Sequence, residues 1–172
     1  MKEVDFRRDL LPLKDKIFRL CLRISSNLQD AEDLTQETLL KAWSKCQSSA
    51  EICNLEAFCL TVARNLSLDL VAKKEHEALS LEQVAEKEVP PGTPSPHERL
   101  EMEERLRLVD KIIQTLPETR RTAFQLRDIE GLSYKEAADV MGISEENFKV
   151  VLHRARKEIK LRFEQIENHH GL

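Results

Sequence analysis

Residues 141–157 read MGISEENFKVVLHRARK. On a helix turning about 100° per residue, Phe148, Leu152, Ala155 and Ile159 share one side, with Val151 at its edge. Lys149, His153, Arg156, Lys157 and Lys160 share another. A helix built this way packs by its apolar side and offers cations to phosphates with the other. Ser144 is placed to cap it. Glu145 and Glu146 fall in the first turn, where negative charge suits the positive end of the helix dipole. A glutamate there can also accept from a cytosine N4 amine in a major groove.

A second set of residues suits a protein partner. In DAEDLTQETLLKAW, Asp30 to Trp43, the residues Asp33, Gln36, Glu37 and Leu40 stand at i, i+3, i+4 and i+7. They make one acidic-polar helix face carrying a single leucine. Ala31, Leu39, Ala42 and Trp43 cover a broad apolar side away from it. Such a patch fits a surface that is basic and partly apolar.

Catalytic and metal chemistry find no foothold in the sequence. Cys46, Cys53 and Cys59 do not follow a zinc spacing, no CxxC occurs, and Cys21 lies on a core stripe. P-loop, GxGxxG, HExxH and GxSxG motifs are all missing. The expectation is a protein that is not an enzyme, with no catalytic residue, metal or cofactor.

The elements that must position these residues are helices. Four glycines and 34% charged residues in 172 favour helix over sheet. Leu13, Ile17, Leu20, Cys21 and Ile24 form one helical stripe. A second helix is expected from Ala31 to about Lys45, capped by Asp30. A third is expected from about Leu55 to Lys74, with Phe58, Val62, Leu66 and Leu70 as its stripe. Between them lies the polar run Gln47 to Asn54. After the proline-rich VPPGTPSP, Val89 to Pro96, a helix is marked by Val109, Ile112, Ile113 and Leu116. Pro117 begins the next helix, which stops near Gly131. Ser133-Tyr134-Lys135-Glu136 is a capping box opening a short helix, and Gly142-Ile143-Ser144 turns into the last. Helix, short turn with glycine, helix is a helix-turn-helix.

The charge balance then poses a problem. The formal net charge is −4, whereas a stand-alone nucleic-acid binder is usually basic. Residues 1–80 carry 12 basic and 13 acidic groups, and residues 101–172 carry 13 and 14. Neither half is a basic arm, so either the chain does not bind DNA or another molecule brings it there. No stretch is apolar enough to span a membrane, and the N-terminus lacks a secretory core. A cytoplasmic protein with reduced cysteines and no membrane insertion is expected.

The motifs resemble one family. From Leu116, LPETRRTAFQLRDIEGLSYKEAADVMGISEENFKVVLHRARK is similar to the promoter-reading C-terminal domain of bacterial sigma factors. DAEDLTQETLLKAW resembles their segment that docks on core RNA polymerase. FCLTVARNLSLDLVAKK, Phe58 to Lys74, resembles the helix that opens and reads promoter DNA. The short two-domain form resembles the extracytoplasmic-function (ECF) group. The resemblance implies an all-α chain of two small helical domains, 1–80 and 101–172, joined by a Pro-rich linker, 81–100. That linker would run through or near the RNA-exit channel. It implies an ECF-type sigma factor directing promoter-specific initiation, rather than a dimeric helix-turn-helix regulator or a polymerase-binding adaptor. The implied partners are the β′ clamp helices and β subunit of core RNA polymerase, promoter DNA and an anti-sigma factor. Asp33, Gln36, Glu37 and Leu40 would dock on polymerase. Arg64, Asn65, Asp69, Lys73 and Lys74 would meet the −10 element, where melted bases are flipped out and held as single strands. Ser144, Glu145, Glu146, Asn147, Lys149, His153, Arg154 and Arg156 would read the −35 duplex. Relatives often carry tryptophan where this chain has Phe58, and Ser-Arg where it has Val150-Val151.

Overall fold

The computed structural model describes residues 3–48, 51–81 and 97–169. The expected linker core, Val89 to Pro96, lies outside the described residues, as do two residues of the polar run before the third helix. Among the described residues there are seven α-helices and no strand, in keeping with the all-α expectation.

A turn of π-helix, Phe6–Leu10, and one of 3-10 helix, Leu11–Leu13, lead into α1, Lys14–Ser25. The lead-in is pinned by Leu10, which is fully buried, and by the edge of Phe6 against Trp43, 5.7 Å between ring centroids. Ile17, Leu20, Cys21 and Ile24 are all buried, as their spacing predicts. The chain then turns through Ser26, a non-glycine residue in the left-handed region with φ 55°.

Helix α2 runs Leu28–Gln47, three residues longer at its start than expected. Its cap is Asn27, not Asp30. Asn27 is extended, and its side chain accepts from the Asp30 N–H at 3.0 Å. Asp30 is thereby inside the helix and pairs with Lys74 instead. Thr35 and Thr38 are buried on the same side as Leu34 and Leu39. Each hydroxyl donates to a carbonyl of its own helix, Ala31 at 2.6 Å and Leu34 at 2.7 Å, so burial leaves neither unsatisfied.

Helix α3, Leu55–Leu81, extends a further two turns past Lys74. Its most buried residues are Cys59, Leu60, Ala63 and Ser67, whereas Leu66 and Leu70 of the expected stripe are only half-buried. The reason is that α3 is covered on two sides. It packs on α1 and α2, and α6 lies along its other side. A one-sided stripe is the wrong template for a sandwiched helix.

The second half comprises α4, His97–Thr115; α5, Glu118–Phe124; α6, Tyr134–Met141; and α7, Glu145–His169. Ile112, Ile113 and Leu116 meet Ala155 and Ile159 in a small core of their own. Helix α5 runs on into a π-turn, Gln125–Ile129, and Gly131 follows at φ 77°. The larger core belongs to both halves. Ile17, Leu20 and Leu60 cluster with Leu126, Val140, Phe148 and Leu152.

Phe148 is fully buried in that shared core. Phe148→Ala should therefore cost about 3–5 kcal/mol. It should lower the melting transition of the whole chain, read by circular dichroism, and not only that of the C-terminal half.

Candidate nucleic-acid and partner interfaces

The helix-turn-helix is fixed at each corner by a local bond. Ser133 Oγ accepts from the Glu136 N–H at 3.1 Å, and the Glu136 carboxylate accepts from the Ser133 N–H at 3.4 Å. Ser133, Asn54 and the nearby Lys16 hold the Glu136 carboxyl below the usual carboxylate range, the Ser133 bond contributing most. Gly142 ends α6 in the left-handed conformation at φ 66°. Ser144 Oγ then accepts from the Asn147 N–H at 3.1 Å and opens α7. Ser144, Glu145, Glu146, Asn147, Lys149, His153, Arg154 and Arg156 are all exposed along the first three turns. Val150 is exposed among them, a methyl-bearing side chain of the kind that meets a thymine methyl.

Three residues that the sequence reading missed organise this surface. The Arg127 guanidinium lies 4.5 Å from the Tyr134 ring centroid, and the Lys149 ammonium 5.5 Å from it. Arg156 donates twice to Asp128, at 2.8 and 2.6 Å. That pairing, with help from Tyr134, raises the already high pKa of Arg156. Three cations, one from the π-turn after α5 and two from α7, thus gather round the tyrosine that starts α6. Asp128 fixes one of them, and a held guanidinium loses less side-chain freedom on meeting a phosphate. Asp128 and Arg156 stand 28 residues apart, so no periodicity links them.

On α2, Asp33, Gln36, Glu37 and Leu40 are exposed together, as the spacing predicts. Leu40 is 65% exposed, a large apolar side chain set among carboxylates. A groove of about 330 Å³ runs beside this face between α2 and α3. Its floor is Leu34, Leu66 and Leu70, and its rim is Asp30, Asp33, Glu37, Asp69 and Lys73.

The five residues assigned by resemblance to the −10 element do not share one face. Asp69 and Lys73 line the α2–α3 groove, and Lys74 pairs with Asp30. Asn65 is exposed. Arg64 turns toward the second half, where it donates to Glu118 at 3.4 Å and to the Met141 carbonyl at 3.5 Å. Phe58 is half-buried against the shared core. Of the cysteines, Cys21 and Cys59 are buried, Cys46 is half-buried and Cys53 is exposed. Burial pushes the Cys59 thiol up to about 12, so it is not a nucleophile near neutral pH. Among the described residues no group of three or more His, Cys, Asp or Glu is placed to hold a metal.

Comparison with known proteins agrees with this geometry. Residues 12–77, covering α1, α2 and most of α3, match the family described as Sigma-70 region 2. Residues 106–159, covering the helix-turn-helix, match Sigma-70 region 4. The ECF RNA polymerase sigma factor SigM of Bacillus subtilis is 32% identical over 84% of this chain and 86% of its own. The chain belongs to the ECF sigma factors. SigE of Mycolicibacterium smegmatis, another ECF sigma factor, is 31% identical over 85% of this chain, which spans 56% of that longer relative. Among solved structures, the sigma factor RpoE of Bartonella quintana, in complex with the anti-sigma factor NepR, superposes with a TM-score of 0.77 at 27% identity. The match covers 95% of this chain and 98% of that one. It therefore spans both halves, which sit together in this ECF sigma factor much as they do there.

The surface round Tyr134 yields two expected outcomes. Lys149→Ala should weaken use of every promoter alike and lower the salt slope of binding by about one unit. Asp128→Ala should reduce promoter use through loss of Arg156 orientation, and adding Arg156→Ala should then cost little more. In vitro transcription from matched templates at two salt concentrations checks both. Glu146→Ala should instead change which −35 sequence is selected from a randomised pool.

Proposed function

We propose that the chain docks on core RNA polymerase through the exposed face of α2 and directs initiation from promoters read at two elements. Residues 1–80 form the docking and −10 unit, and residues 101–172 the −35 reader, joined by 81–100. The observation that carries the docking role is that Asp33, Gln36, Glu37 and Leu40 are exposed together, opposite the face that α2 buries. Asp33 and Glu37 meet Gln29 and Lys41 of their own helix, which leaves the face turned to solvent. Their chemistry suits the basic, partly apolar β′ clamp helices, and the neighbouring groove offers an apolar floor to a side chain from the same partner.

The recognition side of α7 lies in the duplex at −35. The exposed stretch from Ser144 to Arg156 supplies base contacts near its start and phosphate contacts further along. The −10 element is met by α3 and the polar run before it, with Asn65 and Arg64 as its polar contacts. The β subunit holds the second half near the −35 element. A protein of the same family bound to an anti-sigma factor supports a similar partner here. Among the described residues no helix is long and apolar enough to cross a membrane, in line with a cytoplasmic site of action.

The acidic balance fits this division of labour. Polymerase supplies most of the positive surface, and a near-neutral chain spends less time on non-specific DNA.

Asp33→Lys combined with Glu37→Lys tests the docking face. Both positions are exposed, so helical content and melting temperature should stay near the parent's. Removing one side of a partly desolvated charge pair costs about 2–5 kcal/mol, roughly thirtyfold to several-thousandfold in affinity. Binding to core polymerase, measured by fluorescence anisotropy of the labelled chain, should be lost, and reversed charges on the β′ coiled coil should restore part of it. A folded double variant that binds with parental affinity would show that this face is not the dock.

A further inference from the structure

Two neighbouring valines on α7 fare differently. Val151 is half-buried and packs against the shared core. Val150 is 46% exposed. At about 100° per residue, it stands roughly 170° round the helix from the mean direction of the buried Phe148, Leu152, Ala155 and Ile159. It therefore marks the outward crest of the recognition helix. At an exposed helix position valine is a poorer helix former than alanine, and burial gives it little in return.

The residues round Val150 decide what suits it. Glu146 and Asn147 lie about one turn before it on the same outward side, and His153, Arg154 and Lys157 one to two turns after it. All five are exposed. Lys149 flanks the crest, 3.9 Å from Glu145. A protein surface that took the Val150 methyls would have to bring acid to the cations beside them. The major groove of DNA offers both at once. Phosphates line its walls, and on its floor the C5 methyl of thymine stands as an apolar group among hydrogen-bonding base edges.

We propose that Val150 reads a thymine through its C5 methyl and so sets one position of the −35 sequence. The inference rests on the reading of α7 as the −35 helix. An apolar side chain discriminates here by what it leaves unpaired. A cytosine N4 or adenine N6 amine set against it loses water with no acceptor in reach, whereas the thymine methyl gains by leaving water. Glu146 fixes where that thymine lies. Four residues further on, at about 1.5 Å each, Val150 is roughly 6 Å along the helix axis from Glu146. Base pairs are about 3.4 Å apart, so the thymine falls within about two base pairs of the cytosine from which Glu146 can accept.

Holoenzyme assembled from core polymerase and the chain tests this on a promoter that it uses, with the −35 positions randomised. The parent should select a thymine at the position that Val150 meets. Deoxyuridine in place of that thymine removes the methyl and keeps every hydrogen-bonding group. It should lower initiation by the parent roughly fourfold, the worth of one methyl group taken out of water. Val150→Ser, at an exposed position where substitution leaves the fold intact, should use thymine and deoxyuridine templates alike. At the same position the parent should prefer 5-methylcytosine to cytosine, and the variant should not. A parent that selects a −35 sequence yet ignores the methyl at each of its thymines overturns the proposal and leaves α7 as the −35 helix. So does a Val150→Ser variant that still depends on the methyl. A parent that selects no sequence at −35 overturns that wider reading as well.

Discussion

The closed arrangement of this molecule depends on one buried carboxylate. Glu130 is nearly inaccessible, and a carboxylate in that position needs a cation or it destabilises the fold. Its cation is Arg19, more than a hundred residues away in the other half. Removing one partner of a fully buried pair costs on the order of 3–5 kcal/mol. Here the figure is smaller, because the Arg19 side chain is 47% exposed and partly screened by water. The constraint is still directional. Glu130 can be buried only while α1 lies against the π-turn, and that contact sets where the helix-turn-helix sits relative to α3.

Packing and charge then work in the same direction. A core that includes Ile17, Leu60, Leu126 and Phe148 has no boundary at the midpoint of the chain, and small residues along α3 and α6 let those helices approach closely. Much of the positive charge is spent inside the molecule. Arg19, Arg23, Arg64 and Arg120 each face an acidic partner. What remains for phosphates is concentrated on one side of α7. An acidic protein can therefore carry a DNA-reading helix without a basic surface, provided a larger partner brings it to the duplex.

The sequence was legible where structure is local. The capping box at Ser133, the turns at Gly131 and Gly142, and the buried sides of α1 and α7 follow from spacing within one or two helical turns. So does the exposed α2 face, because Asp33, Gln36, Glu37 and Leu40 are neighbours on a single helix. Asn27 and Asp30 are both good caps, and only the extended backbone at Asn27 decides between them. What could not be read was anything set by residues from distant segments. The α3 periodicity is blurred because two surfaces cover it. The family resemblance makes Arg64 a DNA contact, yet its partner in this structure is Glu118. Asp128 and Tyr134 look like ordinary turn and helix residues until Arg156 and Lys149 arrive beside them.

The central claim is that this chain gives core RNA polymerase its promoter choice. The most direct measurement is in vitro transcription with core polymerase on a library of genomic fragments, with start sites mapped by sequencing. The account predicts a discrete set of start sites that appears only when the chain is added, each preceded by a shared pair of −35 and −10 sequences. A chain that binds core polymerase but yields no new start sites would contradict it, and so would one that binds a duplex site tightly on its own and leaves polymerase unaffected.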